Sequence, residues 1–458
     1  MAKKKILLNA FNMNAVGHIN HGLWTHPRDR SAHYTDLDYW TSLAQTLERG
    51  KFDGIFLADI VGVYDVYQGG PETPLRESVQ IPINDPSLIV PAMAHVTKHI
   101  GFGVTSNLTY EPPYLFARRM STLDHLTKGR VGWNIVTGYL DSAAKGAGRE
   151  KQTAHDDRYA IAEEYMEAVY KLWEGSWADN AVQADAASGV YTDPASVRPV
   201  RHHSPHITYD AVHLSEPSPQ RTPVLYQAGT SPAGRDFAAR HAECVFLSGP
   251  SAKVITPRVR TLRERLSAFG RKPDDILFFA LATIIVARTN EEAEALLADY
   301  RRYADLEGAL TLMSGWTGVD FSRLDPDQVV EHVQNDAGRT ALENITRADP
   351  DRRWTVRQVA EHVAVGGIGP VFVGSPARVA DALEAFVEET DIDGFNLAFA
   401  VRPETFANIA DVLVPELQRR GRYKRAYAAG TLREKLSAGR RGPRLAAPHP
   451  AVLQRWKA

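Results

Sequence analysis

Short apolar runs rich in Val, Ile and Phe alternate along the chain with stretches whose apolar positions recur every three to four residues. The runs at 6–11, 54–60, 100–108, 131–137, 223–229, 244–248, 276–287 and 393–401 are nearly continuous in apolar character, which predicts strands buried on both faces of a parallel sheet. Between the first two, the spacing of Leu37, Trp40, Leu43, Ala44 and Leu47 predicts a helix that Asp36 caps and Gly50 ends. The same spacing predicts helices over 86–99, 113–128, 156–173, 231–243, 253–269, 376–390 and 405–418. Eight strand–helix units in one series predict an α/β fold closed as a (β/α)8 TIM barrel, with an open doubly wound sheet as the alternative.

Three stretches break the repeat. Residues 180–222 and 300–369 are too long for ordinary loops, and we read them as insertions at the C-terminal face that shape the mouth of the barrel. Helical pieces are expected in the second, at 327–334 and 355–363. Residues 1–422 then form one barrel domain. Residues 423–458, with Arg440, Arg441, Arg444, Pro443, Pro448 and Pro450, are expected as an extended tail over the surface or a partner subunit.

Composition narrows the function classes. A formal net charge of -2 gives no reason to expect a nucleic acid or an anionic membrane as the main partner. No run approaches 18 apolar residues, so no membrane span is expected, and the apolar start behind Lys3–Lys5 is too short for a secretory signal. With Cys244 as the one cysteine, no intramolecular disulfide is possible, and a cytoplasmic setting fits. In HAECVF that cysteine reads as a small buried apolar residue. The groups His18/His21/His26 and His202/His203/His206 lack an HExxH pattern or supporting cysteines, so no metal site is expected.

Barrel chemistry sits at the C-terminal ends of the strands. There the chain places Asn12, His18 and His21 after the first run, Asp59 and Tyr64 after the second, and Thr105 to Asn107 at the third. Asn134 and Thr137 belong to the fourth, Gln227, Gly229 and Ser231 to the fifth, and Asn396 to the eighth. Amides and hydroxyls without an opposed acid pair suit a polar cofactor better than glycoside hydrolysis. Two patterns could bind an anion. In QAGTSPAG (227–234), Ser231 is placed as N-cap and Pro232 as first helical residue, so free N–H groups and the helix dipole point at one spot. His155 and Tyr159 share one face at the start of the next helix inward. Alone, the first reads equally well as a capped helix, and the second more readily as structure.

Taken with LERGKFDGIFLAD (47–59), STLDHLTKGRVGWNIVT (121–137), AHDDRYAIAEEYMEAVYKLWEGSW (154–177), EPSPQRTPVLYQAG (216–229) and DGFNLAF (393–399), the chain resembles the bacterial-luciferase-like FMN-dependent monooxygenases. The branch is that of nitrilotriacetate monooxygenase component A, pristinamycin synthase and dibenzothiophene-sulfone monooxygenase. NDPSLI (84–89), YDVY (64–67) and GWTGVDFSRLDPD (315–327) make it most similar to dimethyl-sulfide and long-chain-alkane monooxygenases. The resemblance implies a two-component enzyme. A separate NAD(P)H:FMN reductase would supply reduced FMN, and O2 would react with it as a C4a-peroxyflavin to oxygenate a small organosulfur, organonitrogen or related substrate. It implies FMN contacts at Asp59, Thr105, His155, Tyr159 and Ser231, and assembly as a homodimer or homotetramer. His18, Tyr64 and Asn134 are the residues we expect near the reacting oxygen, through hydrogen bonding, proton movement or substrate packing. Such relatives carry a cysteine where this chain has Ala15, which counts against alkane hydroxylation. The alternatives are a deazaflavin-dependent hydride-transfer oxidoreductase on the same barrel, a non-catalytic flavin-binding subunit, and a metal-dependent barrel hydrolase.

Overall fold

In a computed structural model describing residues 4–229, 231–331, 339–349 and 351–457, eight parallel strands close into a ring. They are β1 (Leu7–Met13), β2 (Gly54–Ala58), β3 (Gly101–Asn107), β4 (Val131–Val136), β5 (Val224–Gln227), β6 (Cys244–Leu247), β7 (Leu277–Val286) and β8 (Gly394–Ala398). Each pairs with the next in sequence, and β8 returns to β1 in the register Leu7↔Gly394 to Ala10↔Leu397. The barrel expected from the apolar runs is the fold found. A further strand, Val371–Gly374, joins the end of β7 outside the ring.

The outer layer includes α1 (Leu37–Arg49), α2 (Val90–His95), α3 (Pro113–Leu126), α4 (His155–Tyr170), α5 (Pro232–His241) and α6 (Ala252–Leu266), with α10 (Pro376–Thr390) after the second insertion and the helical turns Glu404–Asn408, Ile409–Leu413 and Val414–Arg419 after β8. In α1, Trp40, Leu43, Ala44 and Leu47 are the buried face, as their spacing predicts. Asp36 stands at its N-cap but makes no capping bond; its carboxylate meets His33 instead, at 3.2 Å. The helix expected over 86–99 is shorter. Asp85 caps a 3-10 turn, Pro86–Leu88, and the missing N–H of Pro91 is tolerated only in the first turn of α2.

The first insertion forms two hairpins, Val182–Asp185 with Val190–Thr192 and Val200–His203 with Thr208–Ala211. It does not shape the mouth as expected. It runs outside the barrel, where the Tyr209 hydroxyl donates to the Ala168 carbonyl of α4 at 2.6 Å and Tyr114 of α3 donates to the Val212 carbonyl. The second insertion does cover the mouth, with α7 (Leu306–Thr317), α8 (Arg339–Thr346) and α9 (Val356–Val363). The helix expected at 327–334 is absent from 327–331, where Val329 bridges Thr355; residues 332–334 lie outside the described residues. Helix α7 was not anticipated. Its sequence, LEGALTLMSGWT, has two helix-weakening glycines, yet burial against α9 and the loop around Tyr64 secures it. Gly315 is required there, because a Cβ would lie 2.0 Å from the Tyr64 ring.

Inside the ring, Phe11, Phe56, Tyr226, Phe246 and Phe279 form an aromatic layer; Tyr226 stacks on Phe246 at 5.4 Å and Phe56 meets Phe246 at 4.1 Å. Beneath it, at the N-terminal ends of the strands, lies the segment expected as an extended tail. It is folded instead. The turn of helix Leu432–Leu436 inserts both leucines into the aromatic cluster, against Gly101, whose Cβ would strike Leu432 at 2.4 Å. Burying each leucine contributes roughly 1.5–3 kcal/mol. Between them, buried Arg433 pairs with buried Glu243 at 2.7 Å and donates to the Thr222 carbonyl at 2.9 Å. Cys244, just beyond Glu243, is buried, and burial pushes its thiol well up.

Candidate functional site

The aromatic layer is the floor of a cavity of about 460 Å3 at the C-terminal mouth, and Trp316, Ala341 and Ile368 of the second insertion are part of its roof. Its wall carries Asp59, Tyr64, Thr105, Asn134, Tyr159, Ser231 and His18, so seven of the eight residues singled out in the sequence meet in one space. The eighth, His155, opens α4, and its side chain lies outside the described residues.

One end of the cavity is built by the turn from β5 into α5. Ser231 is the N-cap, its hydroxyl accepting the Gly234 N–H at 3.1 Å, with Pro232 as first helical residue. Tyr159 reaches over from α4 and engages the Ser231 and Gln227 side chains; burial raises its hydroxyl pKa. The fit depends on glycine. A Cβ on Gly229 or Gly234 would come within 2.4 or 2.7 Å of the Tyr159 hydroxyl. Arg158, buried beside Tyr159, adds a guanidinium to the lining. A helix N-terminus, two hydroxyls and a cation suit a phosphate.

The middle of the wall comes from the strand ends. Thr105 and Asn134 are register partners on β3 and β4, and the Asn134 amide donates to the Thr105 hydroxyl at 2.9 Å. That spends the N–H2 of Asn134 on its neighbour and leaves Oδ1 without a partner. The side-chain oxygens of Gln227 and Asn396 are also buried and unpartnered on the same wall. Enclosed acceptors of this kind are costly unless a ligand or water meets them, so they are free to receive the donors of a bound group. Asp59, just past β2, has its carboxyl pushed up to about 7, first by burial and then by the neighbouring Asp85 charge.

At the other end, the Tyr64 hydroxyl lies 3.0 Å from that of Tyr139, 3.2 Å from Trp316 Nε1 and 3.2 Å from Gln80 Oε1. Trp316 can only donate and Gln80 Oε1 can only accept, so Tyr64 donates to Gln80 and Tyr139 donates to Tyr64. Burial raises both tyrosine pKa values. Gln80 passes the network on, donating to the His18 carbonyl at 3.0 Å. The His18 ring sits edge-on to Phe11 at 4.4 Å, with Nδ1 enclosed and unpartnered. Burial, then the Arg402 charge, lowers its pKa to about 3, so the imidazole is neutral at working pH. Ala15 is buried off this wall, its carbonyl accepting from Arg402 at 2.8 Å.

Sequence reading did not find Gln80, Tyr139, Phe246, Trp316 or Ile368 as site residues. Phe246 sits inside an apolar run like any core residue, and the others reach the cavity from loops or from α7; Trp316 falls in the segment 315–327 that carries the resemblance, but nothing in that segment marks it as a cavity residue. His26 meets Asp299 at 3.0 Å and His206 meets Glu164 at 2.9 Å, and the described residues hold no cluster of three metal-binding side chains.

A family profile described as luciferase-like monooxygenase matches residues 19–393. The chain is 50% identical to the dimethyl-sulfide monooxygenase of Hyphomicrobium sulfonivorans over 99% of its own length and 94% of that protein's. It is 48% identical to the long-chain alkane monooxygenase of Geobacillus thermodenitrificans, over 99% and 98%. Its fold superposes on the crystal structure of a riboflavin lyase determined with a modified FMN and riboflavin, with a TM-score of 0.91 at 34% identity, covering 99% of this chain and 100% of that one.

Proposed function

The chain belongs to the luciferase-like monooxygenase family, and we propose that it is the oxygenating component of a two-component system, taking reduced FMN from a separate NAD(P)H:FMN reductase and using O2 on a small, largely apolar organosulfur or organonitrogen substrate. The observation that carries this reading is the continuity of one cavity from an anion cradle, past unpartnered amide oxygens, to an end closed by aromatic residues.

These residues fit FMN. Tyr159 and Ser231, with the first turn of α5, would hold the phosphate, and His155 would join them. Asp59, Thr105 and Asn134 would lie along the ring system, and Asn134, Gln227 and Asn396 would offer side-chain oxygens as hydrogen-bond acceptors to the bound cofactor. Bound reduced FMN supplies the electrons that activate O2. The protein's own task is to bind, orient and keep water out. Trp316 and Tyr139 lock Tyr64 under the roof, so Tyr64 has no spare proton and acts by position. His18, neutral, offers a hydrogen bond rather than a charge. Asp59 is the wall group that can hold or release a proton near neutral pH. A cavity that must take flavin and substrate together favours a small substrate, in line with a relative named for dimethyl sulfide.

The test is anaerobic titration with oxidised and reduced FMN, then mixing with O2 in the presence of dimethyl sulfide. Tighter binding of the reduced form and substrate-dependent incorporation of labelled oxygen support the proposal. Binding of a deazaflavin with no binding of FMN moves the chain to hydride transfer.

A further inference from the structure

Ile368 is the one side chain that segment 366–369 can offer the cavity, because Gly366, Gly367 and Gly369 flank it. The segment is a strap of irregular backbone. Gly366 and Gly367 have positive φ, and a Cβ on Gly366 or Gly369 would strike Thr283 or the Leu281 carbonyl. The strap is tied at three points. The Gly366 N–H donates to the Ile19 carbonyl at 2.8 Å, the Gly367 N–H donates to the Val363 carbonyl at 3.1 Å, and the Pro370 carbonyl accepts the Thr283 N–H at 2.9 Å. Ile368 packs in the cluster that contains Ile19, Tyr64 and Leu281, at the end of the cavity away from the phosphate cradle.

Residues on either side of the strap, His362, Val365, Pro370 and Val371, also touch a second cavity of about 310 Å3. Elsewhere, trimming a wall residue lets neighbours relax into the gap. Here the flanking glycines carry no side chain to fill it, and the backbone is tied. We propose that Ile368 is the length stop of the substrate pocket: it fixes how long an apolar group the substrate carries. This rests on the oxygenase reading, with dialkyl sulfides as the substrate class.

With FMN reductase present, kcat/KM is measured for dimethyl, di-n-propyl and di-n-pentyl sulfide. Ile368→Ala shifts the ratio of long to short by about tenfold or more toward the long sulfide. Ile368→Val shifts it less in the same direction, and Ile368→Phe shifts it the other way. An unchanged ratio in folded Ile368→Ala and Ile368→Val proteins overturns the proposal. Binding of the same sulfides, followed by quenching of tryptophan fluorescence, gives the size preference without turnover. If no sulfide is oxygenated but the binding preference shifts, the oxygenase reading falls and the length stop stands. If neither protein binds any member, the length stop falls as well.

Discussion

Two groups of buried polar side chains, one at each end of the barrel, are satisfied in different ways. At the N-terminal end, Glu243 and Arg433 are buried together and satisfied by each other and by the chain around them. At the C-terminal end, Asn134, Gln227 and Asn396 keep buried oxygens with no partner, around an open space. Both ends are made by the same strands and share one aromatic layer. The difference marks where the fold is complete in itself and where it is complete only with something bound.

The comparison breaks most sharply at Arg433. Arg433→Ala leaves Glu243 buried and unpaired, so unfolding free energy should fall by about 3–5 kcal/mol, while FMN affinity of the folded fraction changes little. Calorimetry and flavin titration read the two effects separately. The converse change is Gly229→Ala, whose Cβ invades the space of the Tyr159 hydroxyl and Gln227. Affinity for reduced FMN should drop roughly tenfold to a hundredfold, about 1.4–2.7 kcal/mol, with a much smaller change in stability.

Asp59 sharpens the comparison through pH. Its folded pKa is raised, so between about pH 4 and 7 the native protein keeps a proton that the unfolded chain has released, and stability should decline with rising pH across that window. Above about 7 the carboxylate is charged and repels an anionic ligand. Affinity for reduced FMN should therefore fall by about tenfold from pH 6 to 8, and Asp59→Asn should flatten the profile. The smallest effect is expected from Tyr139→Phe, which removes one donor to Tyr64. Steady-state kinetics should give a loss in kcat of about three- to tenfold, with about 1 kcal/mol lost in stability.

The barrel was legible because parallel strands covered on both faces need continuous apolar runs, and each run falls within a few residues of a strand. Ser231 and Pro232 were legible because capping chemistry is local in sequence, whereas Tyr159 was singled out as a cofactor contact only through the resemblance. The tail was misread for the opposite reason. Arg433 looks solvated in a basic, proline-rich stretch, and its partner Glu243 lies 190 residues away. Tyr139, Trp316 and Ile368 come to line one cavity with His18 only when α7, the strap and the β4 loop converge. No spacing rule reports such convergence.

The position of the floor-closing leucines in the chain has a consequence for biosynthesis. Leu432 and Leu436 follow all eight strands, so a ribosome completes the ring before the segment that seals it from below has been made. During that interval Phe56, Tyr226 and Phe246 face water through an unsealed base, an aggregation-prone surface on a growing chain. Chaperone dependence of nascent chains should therefore end with emergence of the plug rather than of β8.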